Sequence, residues 1–435
     1  MPAKNPAAEF VTVERIAPGG NGIARLPSGE IVFVLASAPG DEVELSELVQ
    51  RKGLVYAKQS RLRASGPGRV PPTCEHAERC GGCNFMHLSL DAQKQAKLGI
   101  LEDALRRIGG DPHAGVAIEF VASEASLAYR TRIRLHTNEQ GDIGFVRALS
   151  NELAVIDHCA VSTPRIDEAI TRLARATRSE KKLLSFCKAI ELREAADEPR
   201  LVARLVPAPK AKLDAARYAP LFPPDTHVMV AGATDEGRVT QRYALPASTE
   251  LVAPVTAFTQ VNHGVNQKLV AAVLDAAARH GVCTFVDAYA GAGNFTLPLL
   301  ACGLKGEAID VHAAGIYSAR GVARDRGLPF DGFQVGDARS LLDAFVRARR
   351  QFDLVLLDPP REGSKRVLQA ALQLQPKLVL LVACDPVALA RDLKTLVATG
   401  GRVEALTVFD MFPQTHHFET LAAVTLSPGP GRGRG

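Results

Sequence analysis

The sequence predicts a multidomain α/β protein: a small β-barrel over 1–63, a central region over 64–250 that carries a cysteine cluster, a doubly wound α/β domain over 251–427 and a loose tail at 428–435. Three observations predict it. Short β-rich runs broken by Gly turns fill the beginning, strands and helices of regular length alternate after Thr284, and 435 residues are enough for several separate cores.

The barrel rests on runs at 10–16, 30–36, 42–50 and 53–60, separated by turns such as 18–22 and 39–41. Such a barrel suits RNA contact. A cysteine-rich knot follows at 74–83, then a helix over 91–108 ended by Gly109-Gly110. The middle shows a strand at 131–136 and a helix at 167–182, without a periodicity that defines its fold. From Thr284 the order is strand 284–288, helix 294–301, strand 307–311, helix 313–326, strand 330–335 and helix 338–349. It continues with strand 354–358, helix 364–374, strand 377–383, helix 386–397 and strands 402–409 and 419–426. That alternation makes a mainly parallel sheet covered on both faces. The Pro/Gly/Arg-rich end has the composition of a disordered segment, with Arg432 and Arg434 able to touch phosphate.

Composition narrows the class without naming a function. Hydrophobic residues at 46% and charged residues at 23% are ordinary for a globular protein, and a formal charge of +5 is a weak pointer to a polyanionic partner. Met1 is not followed by the charged, apolar and small-residue order of a signal peptide, and no apolar run is long enough for a membrane span. The expectation is a cytoplasmic protein with no membrane association and no obligate protein partner. In a reducing compartment its eight cysteines are metal-binding, catalytic or core residues; Cys187, Cys283 and Cys302 read as core.

The chemistry gathers where strands end. Asp287-Ala288-Tyr289-Ala290-Gly291-Ala292-Gly293-Asn294-Phe295 is a Gly-rich turn between the first strand and helix, which lets backbone approach a ligand. Asp310 ends the next strand, placed for a ribose, and Gly336-Asp337-Ala338 ends the third, placed for an adenine edge. Asp358-Pro359-Pro360-Arg361 ends the fourth with a loop stiffened by two prolines. Each acidic residue read alone is a helix N-cap. Four in successive junctions point to a nucleotide-like cofactor, and the Gly turn with Asp310 is shared with dinucleotide oxidoreductases.

Cys384 leaves the fifth strand at Cys384-Asp385-Pro386, beside a helix start expected to favour thiolate, so it is the candidate nucleophile. Near the end, Phe412-Pro413-Gln414-Thr415-His416-His417-Phe418-Glu419-Thr420 collects polar groups just before a strand. Adjacent histidines without a third ligand are a weak metal signal. The reading preferred is a loop that packs against a target base, with Glu419 as proton acceptor.

Cys74, Cys80 and Cys83 offer three thiols on one short loop, and Cys159 in Asp157-His158-Cys159 is the candidate fourth, with His76 and His158 as rival ligands. Spacing alone leaves zinc and an iron–sulfur cluster open. Tyr129-Arg130-Thr131-Arg132-Ile133-Arg134 places three arginines on one face of a strand, a stripe suited to phosphate and unpaired bases or simply to solvent.

In combination these motifs make the chain resemble the RNA uracil-5 methyltransferases, most nearly the bacterial members that act on 23S ribosomal RNA, and the resemblance runs along almost the whole length. It implies a TRAM-type barrel, a central domain holding a 4Fe-4S cluster on Cys74, Cys80, Cys83 and Cys159, and a Rossmann-like S-adenosylmethionine domain with which 86–117 packs. It further implies Cys384 as nucleophile and Glu419 as base. Gln260 in Phe258-Thr259-Gln260-Val261-Asn262, with Tyr289, Asn294, Asp310, Asp337 and Asp358, would contact the cofactor. The implied reaction is C5 methylation of a uridine through a Cys384–C6 bond, on an extruded base. Asp385, Asp310 and Met86 stand where relatives often carry Asn, Glu and Gln. Transfer RNA is the alternative substrate, and a non-catalytic RNA-binding protein the alternative class. A radical S-adenosylmethionine enzyme would leave Cys384 and Glu419 without a role.

Overall fold

The computed structural model describes residues 9–51, 53–148, 150–195, 200–234 and 236–426. The tail with Arg432 and Arg434, and residues 1–8 of the polar start, lie outside the described residues. Two compact units emerge, one formed by 1–103, 145–154 and 412–417, the other by 104–144, 155–411 and 418–435.

The first unit begins with a curled sheet, β1 (Glu9–Thr12), β2 (Arg15–Ile16), β3 (Gly22–Arg25), β4 (Ile31–Val34), β5 (Glu42–Arg51) and β6 (Leu54–Ala64), in the order β1-β5-β6-β4-β3-β2. The long β5–β6 hairpin breaks register at three places, and such bulges bend a ribbon into a half-barrel. Val13, Val32, Val34 and Leu45 fill its interior. Strand β3 begins at Gly22, the last residue of what reads as a Gly turn: a Cβ on Gly22 would meet Ser37 Oγ at 2.1 Å, so this position needs glycine for packing rather than for turning. Buried Asp41 braces the half-barrel's end, accepting from the N–H groups of Ala38 and Gly66 and from the Arg69 guanidinium. Together these donors hold its carboxyl below the usual range, against the opposing effect of burial.

In the second unit, β7 (Ile118–Val121) is an edge strand of the large sheet described below. The middle of this unit is a sheet in which β8 (Arg132–Thr137) pairs with the first two residues of β9 (Ile143–Val146) and with β11 (Cys187–Glu194); residues 145–154, with the end of β9 and most of the short β10 (Leu153–Val155), fall in the first unit. Next to β11 come β12 (Leu201–Pro207) and β13 (His227–Val230). Helix Pro164–Ser179 buries Ile166, Ile170 and Leu173, and a hairpin of β14 (Thr240–Leu245) and β15 (Thr249–Pro254) leads to helix His263–Arg279.

The large sheet uses β16 (Thr284–Asp287), β17 (Lys305–Asp310), β18 (Phe333–Val335), β19 (Leu354–Leu357), β20 (Leu378–Ala383), β21 (Gly401–Phe409) and β22 (Glu419–Leu426), ordered β18-β17-β16-β19-β20-β22-β21-β7. Strands β16 to β20 are parallel, and the central β19 and β20 are continuously apolar, as expected of strands covered on both faces. The chain winds outward from β16 through β17 to β18, then crosses back to β19 on the other side. A crevice opens at such a reversal, at the strands' carboxyl ends. Helices start there with side-chain caps: Asp337 accepts from Ser340 N–H and Asp385 from Ala388 N–H. Among the described residues no helix is long and apolar enough to cross a membrane.

Two of the three cysteines read as core are not. Cys187 is buried, but Cys283 and Cys302 are exposed. Cys283 precedes β16 at the end away from the crevice, and Cys302 caps the surface end of the short helix Thr296–Ala301.

Candidate active site

Successive strands bring the expected residues to one edge of the large sheet. Asp287 and Asp310 end β16 and β17, Asp337 follows β18, Asp358 follows β19 and Cys384 follows β20. Strand β22 is antiparallel to β20 and so enters at this same edge; Ala383 pairs with Thr420, which brings their neighbours Cys384 and Glu419 together. The turn over 291–293 is tied to β17 through Asp310, whose carboxylate accepts from the N–H of Gly291 at 2.9 Å and of His312 at 2.7 Å.

The two glycines of that turn have different work. Gly293 has φ +92°, and a Cβ there would lie 2.9 Å from Leu297 Cγ and 3.1 Å from Ala319 Cβ; Gly291 has φ +57° and open space beyond it. Gly293→Ala is therefore expected to cost about 2 kcal/mol or more in thermal or urea unfolding, from strain and overpacking together. Gly291→Ala should cost about 1 kcal/mol, the left-handed penalty alone, and lose binding of a crevice ligand instead.

Carboxyl groups crowd the crevice. Burial pushes Asp358 up to about 7, reinforced by Asp287 and Asp310. Burial likewise pushes Asp287 up to about 7, although the Thr296 hydroxyl donates to it at 2.7 Å. Burial, then Asp337, Asp392 and Asp310, push the Tyr289 hydroxyl up to about 12. Burial, then Asp358, hold Glu419 well above the carboxylate range, with Arg361 opposing. Burial first and Glu419 second push the Cys384 thiol up to about 12, again against Arg361. Both groups are held towards their protonated forms in the folded protein. The expectation that the helix start favours thiolate is thus corrected: Asp385 caps that helix at 2.7 Å from Ala388 N, and Cys384 stands outside the cap.

Other expected residues occupy supporting positions. Asn294 exchanges two amide hydrogen bonds, 2.8 and 3.0 Å, with Asn266 of helix His263–Arg279, a partner the sequence did not reveal. Exposed Asp337 uses Oδ1 on Ser340, which lowers its carboxyl. Two buried acceptor atoms of this unit, Gln260 Oε1 and Asp287 Oδ1, have no hydrogen-bond partner among the described residues. They are ready for donors brought by a ligand.

The loop expected to meet a target base is held within the first unit as far as His417. Fully buried Lys97 donates to the Phe412 carbonyl at 3.1 Å, Gln93 exchanges hydrogen bonds with Gln414, and Asn84 Oδ1 accepts from His416 N–H. Neither Gln93 nor Lys97 is marked by a motif.

Arg132 and Arg134 do share a face of β8. Arg134 is ion-paired with Glu191, opposite it on β11, whereas the Arg132 guanidinium lies 4.9 Å from the ring centre of exposed Phe258. Burial and the nearby Arg193 and Arg130 lower Arg132 to about 10. Behind it, Arg193 is spent on the carbonyls of Pro254 and Ala257.

Cys74, Cys80 and Cys83 lie half-buried in the first unit, where Gly82 N–H points at Cys80 Sγ from 3.4 Å and Cys80 N–H donates to the His76 carbonyl. In the second unit, burial raises the Cys159 thiol while donors from Val161 and Ser162 oppose that shift. Such N–H and O–H groups suit a thiolate ligand.

A family model described as tRNA (Uracil-5-)-methyltransferase matches residues 340–427. The chain is 31% identical to the 23S rRNA (uracil(1939)-C(5))-methyltransferase RlmD of Pectobacterium atrosepticum, covering 97% of this chain and 94% of that one. It is 32% identical to that of Chromohalobacter salexigens, covering 98% and 91%. Among solved structures it is similar to the Pyrococcus abyssi tRNA (uracil-54, C5)-methyltransferase in complex with S-adenosyl-L-homocysteine, with TM-score 0.75, 25% identity and coverage of 95% and 99%. A carboxyl-lined crevice at the reversal of a parallel sheet, a thiol and an acid joined by strand register, and relatives matching end to end agree: the chain belongs to the RNA uracil-C5 methyltransferases, enzymes that use S-adenosylmethionine.

Proposed function

We propose that this enzyme methylates C5 of a uridine in 23S ribosomal RNA, in the cytoplasm, with Cys384 as nucleophile and Glu419 as base. The β20–β22 register carries the reading, because it sets one thiol and one acid side by side at the mouth of the crevice. The half-barrel acts as a TRAM domain in it, and the three segments 1–63, 64–250 and 251–427 as its domains. The preference for ribosomal RNA is supported by the end-to-end match to relatives of that name.

S-adenosylmethionine, when bound, supplies a methyl group on a positively charged sulfur. Gln260, Tyr289, Asp310 and Asp358 would hold it, with Asn294 and Asp337 shaping the site; the unpartnered Gln260 Oε1 and the row of carboxyls fit a cationic ligand rich in N–H and O–H donors. Cys384 Sγ bonds to uracil C6 as the thiol proton leaves to solvent, and the C5=C6 electrons move towards O4, making C5 nucleophilic. Once C5 is methylated, Glu419, as the carboxylate after losing its own proton to solvent, takes the C5 proton; the C5–H electrons restore C5=C6 and expel the thiolate. Cys74, Cys80, Cys83 and Cys159 would hold a 4Fe-4S cluster in a structural or RNA-orienting role.

Because Asp358 and Asp287 titrate near 7, a cation entering the crevice favours their ionised forms. Affinity for S-adenosylmethionine should fall as pH drops from 8 to 6, by about tenfold in all for each carboxyl that must be ionised and titrates near 7. S-adenosylhomocysteine, lacking the sulfonium charge, should change less in the same calorimetric titration. The substrate is tested with labelled S-adenosylmethionine and unmodified 23S ribosomal RNA or transfer RNA, followed by nucleoside analysis. Label in 5-methyluridine from ribosomal RNA alone supports the proposal, label from transfer RNA alone replaces the substrate, and no label from either overturns the catalytic reading.

A further inference from the structure

The loop after β19 is fastened to the helix after β20 by a contact that no motif announces. Asp392, buried in helix Pro386–Ala398, accepts at Oδ2 from both the N–H and the hydroxyl of Ser364, at 2.8 and 2.6 Å. Ser364 stands at the N-cap of helix Lys365–Gln373 yet makes no side-chain cap bond; its hydroxyl is given to Asp392 instead. Beside it Gly363 has φ +84°, and a Cβ there would come within 3.0 Å of Ala388 Cβ and 3.2 Å of Asp392 Oδ2. The loop approaches this helix as closely as glycine allows.

That helix also governs the nucleophile. Its N-cap, Asp385, follows Cys384 directly, and Asp392 lies seven residues on, two turns along the same face. One rigid rod therefore carries the Cys384 end and the grip on the loop that bears Arg361. A small cavity beside it is lined by Pro360, Arg361, Gly363, Cys384, Ala388 and Asp392. Arg361 is the cation that acts on both Cys384 and Glu419.

We infer that Asp392 is a positioning residue: by gripping Ser364 it holds Arg361 in register with Cys384 and Glu419, so that the guanidinium offsets the negative charge that develops at the pair. This rests on the proposed roles of Cys384 and Glu419. A misplaced catalytic group typically costs on the order of 10- to 100-fold in rate, so Asp392→Ala should lower kcat by about that factor. KM for RNA and affinity for S-adenosylhomocysteine should stay unchanged, and Asp392→Asn, which keeps an acceptor, should restore most of the rate.

The test is a cycle of Asp392→Ala, Arg361→Ala and the double variant, measured as single-turnover methyl transfer with full-length protein. Action through Arg361 predicts that the double variant is no slower than Arg361→Ala, and that both single variants slow alkylation of Cys384 by iodoacetamide at pH 9. Additive losses, or an unchanged rate and alkylation profile in a folded Asp392→Ala protein, overturn the inference. Should Asp392→Ala fail to fold, Ser364→Ala takes its place in the same cycle, with the same two outcomes. Cys384→Ala run alongside separates the underlying reading: methyl transfer surviving in that variant would remove the premise rather than the brace.

Discussion

Cys384→Ala is expected to abolish formation of 5-methyluridine while leaving RNA and S-adenosylhomocysteine bound as before. Removing an enzymic nucleophile costs about three to six orders of magnitude in kcat, so residual label should be at background. The half-buried side chain loses one atom, and stability should change by about 1 kcal/mol or less. A complementary expectation follows from the raised thiol. With the thiol pushed up to about 12, the thiolate at pH 7.5 is on the order of 1 in 10⁴ or less, so iodoacetamide should label Cys384 slowly in the free protein. The thiol has to be activated when the target base arrives. Gel-shift binding retained together with lost methyl transfer identifies an enzyme; methyl transfer retained would move the nucleophile elsewhere.

The large sheet was legible because parallel strands buried on both faces leave continuous apolar runs, and those from Leu354 to Leu357 and from Leu378 to Ala383 are short and bounded by turn residues, as buried strands are. Their ends carry the site, so placing each strand's carboxyl end correctly already marked Asp287, Asp310, Asp358 and Cys384 as one set. Glu419 was readable as a residue but not as a neighbour, since its place beside Cys384 depends on β22 inserting antiparallel between β20 and β21. The charge states were not legible at all. A helix start after Cys384 suggested thiolate, whereas burial first, and crowding with Glu419 and Asp358 after it, decides the other way. Gln93, Lys97, Asn266 and Asp392 were missed for one physical reason: each acts by a hydrogen bond to a distant segment, and no local pattern marks such a residue. The strand Gly22–Arg25 was missed because its first glycine is there for close packing, a role indistinguishable from a turn in one dimension.

Glu419→Gln should stop the reaction after methyl transfer rather than before it. The amide keeps the shape of the acid and leaves Cys384 free to add to C6 and C5 free to take the methyl group, but it accepts no proton from C5. Loss of a positioned base slows its step by about 10²- to 10⁴-fold, so methylated RNA should accumulate joined to Cys384, visible as a slowly migrating labelled band in denaturing gels. Addition of Cys384→Ala should erase that band. The fold offers a second, independent reading of the same substitution. Burial raises the Glu419 carboxyl well above its unfolded value near 4.5, so the native state binds more protons than the unfolded chain above that pH. Wild-type stability from this group is therefore present in acid and lost as pH rises, whereas glutamine has nothing to titrate. The Tm of Glu419→Gln relative to wild type should rise between pH 5 and pH 8. A trapped adduct with that pH trend assigns to Glu419 both the buried acid and the base; an adduct without it would mean that the carboxyl is ionised in the folded protein, and that Arg361 rather than burial controls the pair.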